Sequence, residues 1–278
     1  MADTAIQPLE VAAISLDFGN TLVRIDRAST AAVLADTARV VRERGLAADE
    51  DGFLRAWAEE RDRQFREELP RGREVDLRER VVRVLARLRG IAPPSEAARW
   101  DDAAARRLVA PAEIDVAIEA YGASFVSRMV PVDDAGPTIE RLAADGFSLA
   151  VLSNWPLAET IERYVEVRGW WPHLRAVVVS QRVGAIKPQR AIFDHARERL
   201  DAPAERILHV GDDWAADVVG AMRAGWRAAY LRDRQVDSPL PTSRPPDGTA
   251  SASEGADLVI AQLAELPPLV RRWSGAAG

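Results

Sequence analysis

The chain has 278 residues, 47% hydrophobic and 29% charged, with a net charge of −6, which is the make-up of a globular protein with one large domain or two modest ones. The acidic balance argues against general nucleic-acid binding, which needs a basic face. The lack of any cysteine removes disulfides, thiolate metal sites and cysteine nucleophiles.

Met1 to Glu10 lacks the basic start and apolar stretch of a secretory signal, and no run approaches the about 18 apolar residues of a membrane span, so a cytoplasmic protein without a membrane partner is expected. Val11 to Leu16 (VAAISL) predicts a buried strand ending at Asp17 and a Gly-Asn turn. From about Arg24 to Val130 the pattern is helical. Ser29 or Thr30 is placed to cap a helix carrying Val33, Leu34 and Val41. Phe53, Trp57 and Phe65 mark another, Leu77, Val81, Val84 and Leu88 another, and Ile114, Ile118, Tyr121 and Phe125 a further one. Arg61, Arg63, Arg66, Arg71 and Arg73 read as solvated faces paired with Glu59, Glu60, Glu67 and Glu68.

A second block opens with a helix near Pro137, carrying Ile139 and Leu142 and stopping at Gly146. Ser148 to Leu152 and Arg175 to Ser180 predict strands, followed by a helix from Pro188 and a strand from Ile207 to Val210. A helix from about Ala215 to Ala224 and short strands at Arg227 to Leu231 and Asp257 to Ile260 complete the pattern. Val236 to Gly255, rich in Pro, Ser, Thr, Gly and Asp, reads as a mobile surface loop. Strands separated by such helices predict an α/β, Rossmann-like fold with a parallel sheet covered on both faces. The core is expected over 1–23 and 131–278, with 24–130 inserted as a helical second domain over the strand ends, where ligands bind in open α/β sheets.

Four polar features sit at those strand ends: Asp17-Phe18-Gly19-Asn20-Thr21-Leu22, Ser153-Asn154, Lys187-Pro188, and Gly211-Asp212-Asp213 with Asp217 beyond. Taken singly, each has a structural explanation: a turn, a helix cap, a solvated lysine, a second cap. Together, in this order, they resemble the four motifs of the haloacid-dehalogenase (HAD) superfamily, and the helical insertion is similar to that family's cap. The resemblance covers nearly the whole chain and implies a hydrolase of the phosphatase-like branch, acting on a small phosphorylated metabolite with Mg²⁺.

On that resemblance, Asp17 is the carboxylate nucleophile, forming an aspartyl-phosphate. Ser153 donates its hydroxyl and Asn154 a backbone N–H to the phosphoryl oxygens, and Lys187 supplies positive charge. Gly19, Asn20 and Thr21 line the substrate side. Asp17 and Asp212 offer hard oxygen ligands for Mg²⁺, joined in the family by the backbone carbonyl at Gly19, with Asp213 or Asp217 completing or orienting the shell. His173, His195 and His209 read as structural or surface residues, and Trp155 and Trp214 as packing residues.

Gly19 departs from the family pattern. Phosphatases of this family usually carry there a second aspartate that protonates the leaving alcohol and activates water, help typically worth ~10²–10⁴-fold. Three accounts follow: a phosphatase using another acid (Asp213, a cap residue or solvent) or a substrate with a good leaving group; a degenerate member that binds a phosphorylated ligand or a protein partner without turnover; or a metal-independent 2-haloacid dehalogenase. The acidic pair Asp212-Asp213 counts against the last.

Overall fold

In the computed structural model, which describes residues 8–96, 98–232, 237–240, 242–246 and 255–274, the run from Val11 to Leu16 serves two sheets rather than one strand. β1 (Leu9–Val11) pairs with a strand near the other end of the chain, and β2 (Ala13–Leu16) enters the main sheet. The break falls at Ala12, whose N–H donates to the Arg206 carbonyl at 2.7 Å. Every residue of β2 is buried, as a strand covered on both faces requires, and Ile14 and Leu16 each contribute about 1.5–3 kcal/mol of burial. After Asp17 the chain doubles back: the N–H groups of Leu22 and Val23 donate to the Phe18 carbonyl, and Asn20 takes a left-handed φ of 58°. β3 (Val23–Arg24) pairs antiparallel with β4 (Val130–Pro131), bracketing the helical insertion.

The helical unit comprises Arg27–Met129 and Trp155–Tyr164. α1 (Arg27–Glu43) begins two residues before the expected cap at Ser29. Asp49 caps α2 (Glu50–Glu68), accepting from the Gly52 N–H, and Asp76 caps α3 (Leu77–Leu88), accepting from Arg78 and Glu79. The short α4 (Asp102–Arg107) precedes α5 (Pro111–Arg128), which starts on proline. The unit is centred on an aromatic row in which Phe53, Trp57, Tyr121 and Phe125 follow one another at centroid spacings of 5.6, 6.0 and 6.2 Å. Trp155 and Tyr164 extend the row, 5.2 and 6.2 Å from Phe125, which is why 155–164 joins this unit although its sequence follows a core strand. Arg63 is not solvated as expected: it is buried, donating to the carbonyls of Pro94 and Ser95. Arg66, Arg71 and Arg73 are exposed.

The core unit comprises the remaining residues. α6 (Ala135–Ala144) leads to Gly146, whose φ of 85° reverses the chain into β5 (Ser148–Ser153). α7 (Ala158–Val167) begins in the helical unit and ends in the core, and β6 (Ala176–Val179) and α8 (Ser180–Val183) follow. Next come α9 (Arg190–Leu200), β7 (Ile207–Gly211) and a π-helical turn at Trp214–Val219 running into α10 (Gly220–Arg223). β8 (Arg227–Leu231), β9 (Leu258–Ile260), α11 (Leu266–Leu269) and β10 (Val270–Arg272) complete it, with β10 paired to β1. The six-stranded sheet is parallel throughout in the order β6-β5-β2-β7-β8-β9. Ile192, Phe193 and Ala196 of α9 pack with Ala150, Leu152, Val218 and Trp226. From β2 the chain fills one side of the sheet and then the other, so the strand order reverses beside β2, and the crevice of such a reversal lies at the strands' carboxyl ends. No helix among the described residues is long and apolar enough to cross a membrane.

Candidate active site

Three strand ends deliver the predicted residues. Asp17 follows β2, Ser153 closes β5, and Asp212 follows β7; β2 lies between the other two, with Leu16 in register with both Val151 and Val210. The Asp17 N–H donates to the Val210 carbonyl at 2.9 Å, which locks the first strand end to the third. Lys187 arrives from the loop before α9. Asn154 fixes that loop: its Nδ2 donates to the Lys187 carbonyl at 3.0 Å and its Oδ1 accepts from the Lys187 N–H at 2.8 Å. The Asn154 side chain therefore holds the lysine's backbone, a role its position in the sequence does not reveal. The Lys187 ammonium uses all three protons, donating to Asp17 Oδ1 at 2.7 Å, Asp217 Oδ1 at 2.7 Å and the Leu152 carbonyl at 2.9 Å.

Carboxylates crowd around it. Asp17, Asp212 and Asp217 each present a carboxylate oxygen within 4.8 Å of the others, and all three are buried. Burial, reinforced by the charge of Asp217, pushes the Asp17 carboxyl up to about 7 despite the pull of Lys187. Asp212 is raised well above the carboxylate range by burial and by the charges of Asp17, Asp217 and Asp213. Asp217 goes the other way: burial opposes its charge, but Lys187 and His209 hold it well below the usual range. Lys187 is likewise lifted, because Asp17 and Asp217 outweigh the burial that would depress it. Three carboxylates gather beside the Lys187 ammonium, and Asp17 and Asp212, the two pushed up in pKa, are the natural ligands for a cation.

Asp217 is committed elsewhere. Its Oδ1 accepts from Lys187 and from His209 Nε2 at 3.1 Å, and its Oδ2 from the Asp213 N–H at 2.9 Å. It passes so close to Gly211 that a Cβ there would lie 2.1 Å from Oδ2, so only glycine fits at the end of β7. Asp213 faces away from the cluster: its carboxylate accepts from the Ala216 N–H at 2.9 Å and from the N–H and hydroxyl of Ser243. Of the remaining predicted contacts, Asn20 uses Oδ1 to accept from the Ile25 N–H and Nδ2 to donate to Ser238. Thr21 is fully buried with no hydrogen-bond partner for its hydroxyl.

Two features of the site are absent from the sequence-based expectations. His209, read as structural or surface, lies beneath the cluster, in register with Ser15 on β2. Burial holds its imidazole neutral; Nε2–H points to Asp217 Oδ1, leaving Nδ1 to accept from the Ser15 hydroxyl at 3.1 Å. A polar residue in a strand buried on both faces must be hydrogen-bonded, and that signal was available in ILHVG and AISL. The second feature is the segment expected to be a mobile loop. Of it, Val236, Pro241 and residues 247–254 lie outside the described residues, but Ser238 is bonded to Asn20 and Ser243 to Asp213 and Ala215. Trp214 packs edge-on against Tyr230 at 5.3 Å, a packing role like that of Trp155 in the helical unit.

Residues 11–225 match the family of haloacid dehalogenase-like hydrolases, and residues 185–266 the HAD-hydrolase-like family. The chain is 32% identical over 153 residues to ribulose-1,5-bisphosphate 5-phosphatase from Halopiger xanaduensis, a stretch covering 55% of this chain and 62% of that protein. It is 30% identical over 122 residues to glyceraldehyde 3-phosphate phosphatase from Methanopyrus kandleri, covering 44% and 52%. The matches thus span about half to three fifths of these relatives' lengths. Among solved structures, 2-haloacid dehalogenase from Pseudomonas syringae pv. Tomato DC3000 superposes with a TM-score of 0.61 over 93% of this chain and 97% of that one, at 21% identity, a likeness of fold.

Proposed function

The chain belongs to the haloacid dehalogenase-like hydrolase family, and from that premise we propose that it is a magnesium-dependent phosphatase of small phosphorylated metabolites, working through an aspartyl-phosphate on Asp17. The observation that carries this reading is the buried cluster of Asp17, Asp212 and Asp217 beside Lys187. A group of hard oxygen donors gathered in this way fits a small divalent cation, with Asp17, Asp212 and the Gly19 carbonyl as the groups that would hold it. Bound there, magnesium would supply positive charge to Asp17 and to the phosphoryl oxygens.

The protein's own groups divide the remaining work. Asp17, fixed by its backbone bond to β7 and by Lys187, directs a carboxylate oxygen at phosphorus. Lys187 balances charge as the phosphoryl group transfers, and the Ser153 hydroxyl is the side-chain donor for a phosphoryl oxygen. Asn154 and Asp217 act on Lys187, one through its backbone and the other through its ammonium. The named activities of both curated relatives, removal of phosphate from small phosphorylated metabolites, support the same substrate class.

The test is phosphate release from sugar phosphates, nucleotides and acyl phosphates with and without Mg²⁺, beside halide release from 2-chloropropionate. Phosphate release that stops on adding chelator, and in Asp17→Asn, is expected. Metal-independent halide release would replace this reading with dehalogenation. Phosphate analogues that raise the melting temperature without turnover of any substrate would replace it with binding alone.

A further inference from the structure

Gly19 lies two residues past Asp17, and its φ is outside the left-handed region, so backbone conformation does not demand glycine there. Space is tight instead: a Cβ at this position would lie 3.1 Å from Leu240 Cδ1, which would have to give by a few tenths of an ångström, and in ordinary contact, 3.7 Å, with Ile25 Cγ1, so a longer side chain would have to displace Leu240. Leu240 is held there from both sides. The Ser238 hydroxyl accepts from Asn20 Nδ2 at 3.1 Å and from Leu240's own N–H at 3.2 Å. Beyond it, Ser243 accepts the Ala215 N–H at 2.6 Å on its hydroxyl and the Trp214 N–H at 3.1 Å on its carbonyl, and donates to Asp213. Ser238 thus meets the turn after Asp17 and Ser243 the turn after Asp212, with the apolar Leu240 beside Gly19.

Among the described residues, the ionisable groups clustered with Asp17 in the core unit do not replace the carboxyl that Gly19 lacks. Lys187 has all three protons engaged with Asp17, Asp217 and the Leu152 carbonyl. Asp217 is saturated by Lys187, His209 and the Asp213 N–H, and His209 lies behind it against Ser15. Asp213 is turned to Ser243 and Ala216. Asp212, with Asp17, is a ligand for the cation in the reading above. An alcohol, about as weak an acid as water at ~16, is a poor leaving group without a proton donor. A carboxylate is not.

Resting on the phosphatase reading above, we propose that Leu240 and Gly19 restrict this site to phosphoryl donors whose leaving group departs as a stable anion without taking up a proton, acyl phosphates above all. In the first step an Asp17 oxygen bonds to phosphorus as the bond from phosphorus to the acyl oxygen breaks, and that electron pair leaves with the carboxylate. In the second, water adds to phosphorus, the bond to Asp17 breaks and the aspartate carboxylate is restored; the water's proton ends on phosphate or in solvent. The sum is acyl phosphate plus water giving carboxylate, phosphate and a proton.

The experiment is a comparison of kcat/KM for the full chain with Mg²⁺ on acetyl phosphate, a series of substituted phenyl phosphates, and glycerol 3-phosphate. Acetyl phosphate is expected to exceed glycerol 3-phosphate by ~10³-fold or more, with a steep fall along the phenyl series as the phenol becomes a weaker acid. In Gly19→Asp/Leu240→Ala, which installs a carboxyl and clears its space, the glycerol 3-phosphate value should rise ~10²–10⁴-fold and the series should flatten. A flat series in the unaltered protein, or glycerol 3-phosphate matching acetyl phosphate, would overturn the proposal while leaving the phosphatase reading standing, whether or not the double variant folds. Release from none of these substrates, acetyl phosphate included, would remove the phosphatase reading and this proposal with it.

Discussion

In the helical unit, Glu60 is fully buried with Arg87 at 2.8 Å and the Trp100 indole at 2.9 Å, and buried Arg83 meets Asp102 at 2.9 Å and Glu67 at 3.2 Å. In the core unit, three buried carboxylates share one lysine, and Asp17 and Asp212 are driven upward in pKa. Both arrangements bury charge at a desolvation cost. Around Glu60 the charge is answered within the chain by Arg87 and Trp100, while beside Arg83 burial and Asp102 push Glu79 up to about 7. A perturbed carboxyl in an ion-pair network serves the fold; perturbed carboxyls gathered as hard oxygen donors at strand ends mark a candidate ligand site.

Substitutions in the two regions should therefore separate chemistry from stability. Asp17→Asn should lower phosphate release by ~10³-fold or more, as loss of a nucleophile does, while the metal-free protein melts no lower than before because a repelled charge has gone. Glu60→Gln should do the reverse: taking the buried carboxylate from Arg87, which keeps Glu59, and from the Trp100 indole costs about 1–3 kcal/mol in denaturant unfolding, with kcat within about twofold of the unaltered value. A Glu60 variant that loses activity at full stability would break the division. His209→Phe, which removes one of the bonds orienting Asp217, should cut kcat about tenfold, or about 1.4 kcal/mol, with KM unchanged. An effect on melting temperature alone would make His209 a packing residue.

The smallest effect is a linkage. The Asp17 carboxyl sits at about 7 in the folded chain against 3.8 as its ordinary value, so folding takes up a proton between those limits. Metal-free stability should then fall as pH rises from about 4 to 7, and the rise in melting temperature given by Mg²⁺ should be larger at pH 7 than at pH 5, because a bound cation displaces that proton. Equal Mg²⁺-dependent shifts at both pH values would mean that Asp17 does not share its charge with the metal.

The parts of the molecule legible from sequence are those with a local or periodic signature. The apolar run before Asp17, the helical faces through Trp57, Val81 and Phe125, and the polar residues ending β5 and β7 all announce themselves within a few residues. What stayed hidden depends on contacts between distant residues. Ser238 meets Asn20 across 218 positions, in a segment whose Pro- and Ser-rich composition is that of a solvated loop. The division of Asp213 from Asp212 and Asp217 also escapes the sequence, since adjacent acids differ only in where the π-helical turn after β7 points them. Trp155 follows Asn154 directly, yet its ring belongs with Phe125, because aromatic packing rather than chain proximity decides where a tryptophan goes.

Calorimetric titration of Mg²⁺ into the unaltered chain and into Asp212→Asn at pH 7.5 tests the central claim most directly, that the core cluster is built to hold a cation. One site per chain is expected in the unaltered protein, with affinity reduced at least about tenfold in the variant, as loss of a charged oxygen ligand requires. No binding to the unaltered chain, or equal binding to both, would contradict it.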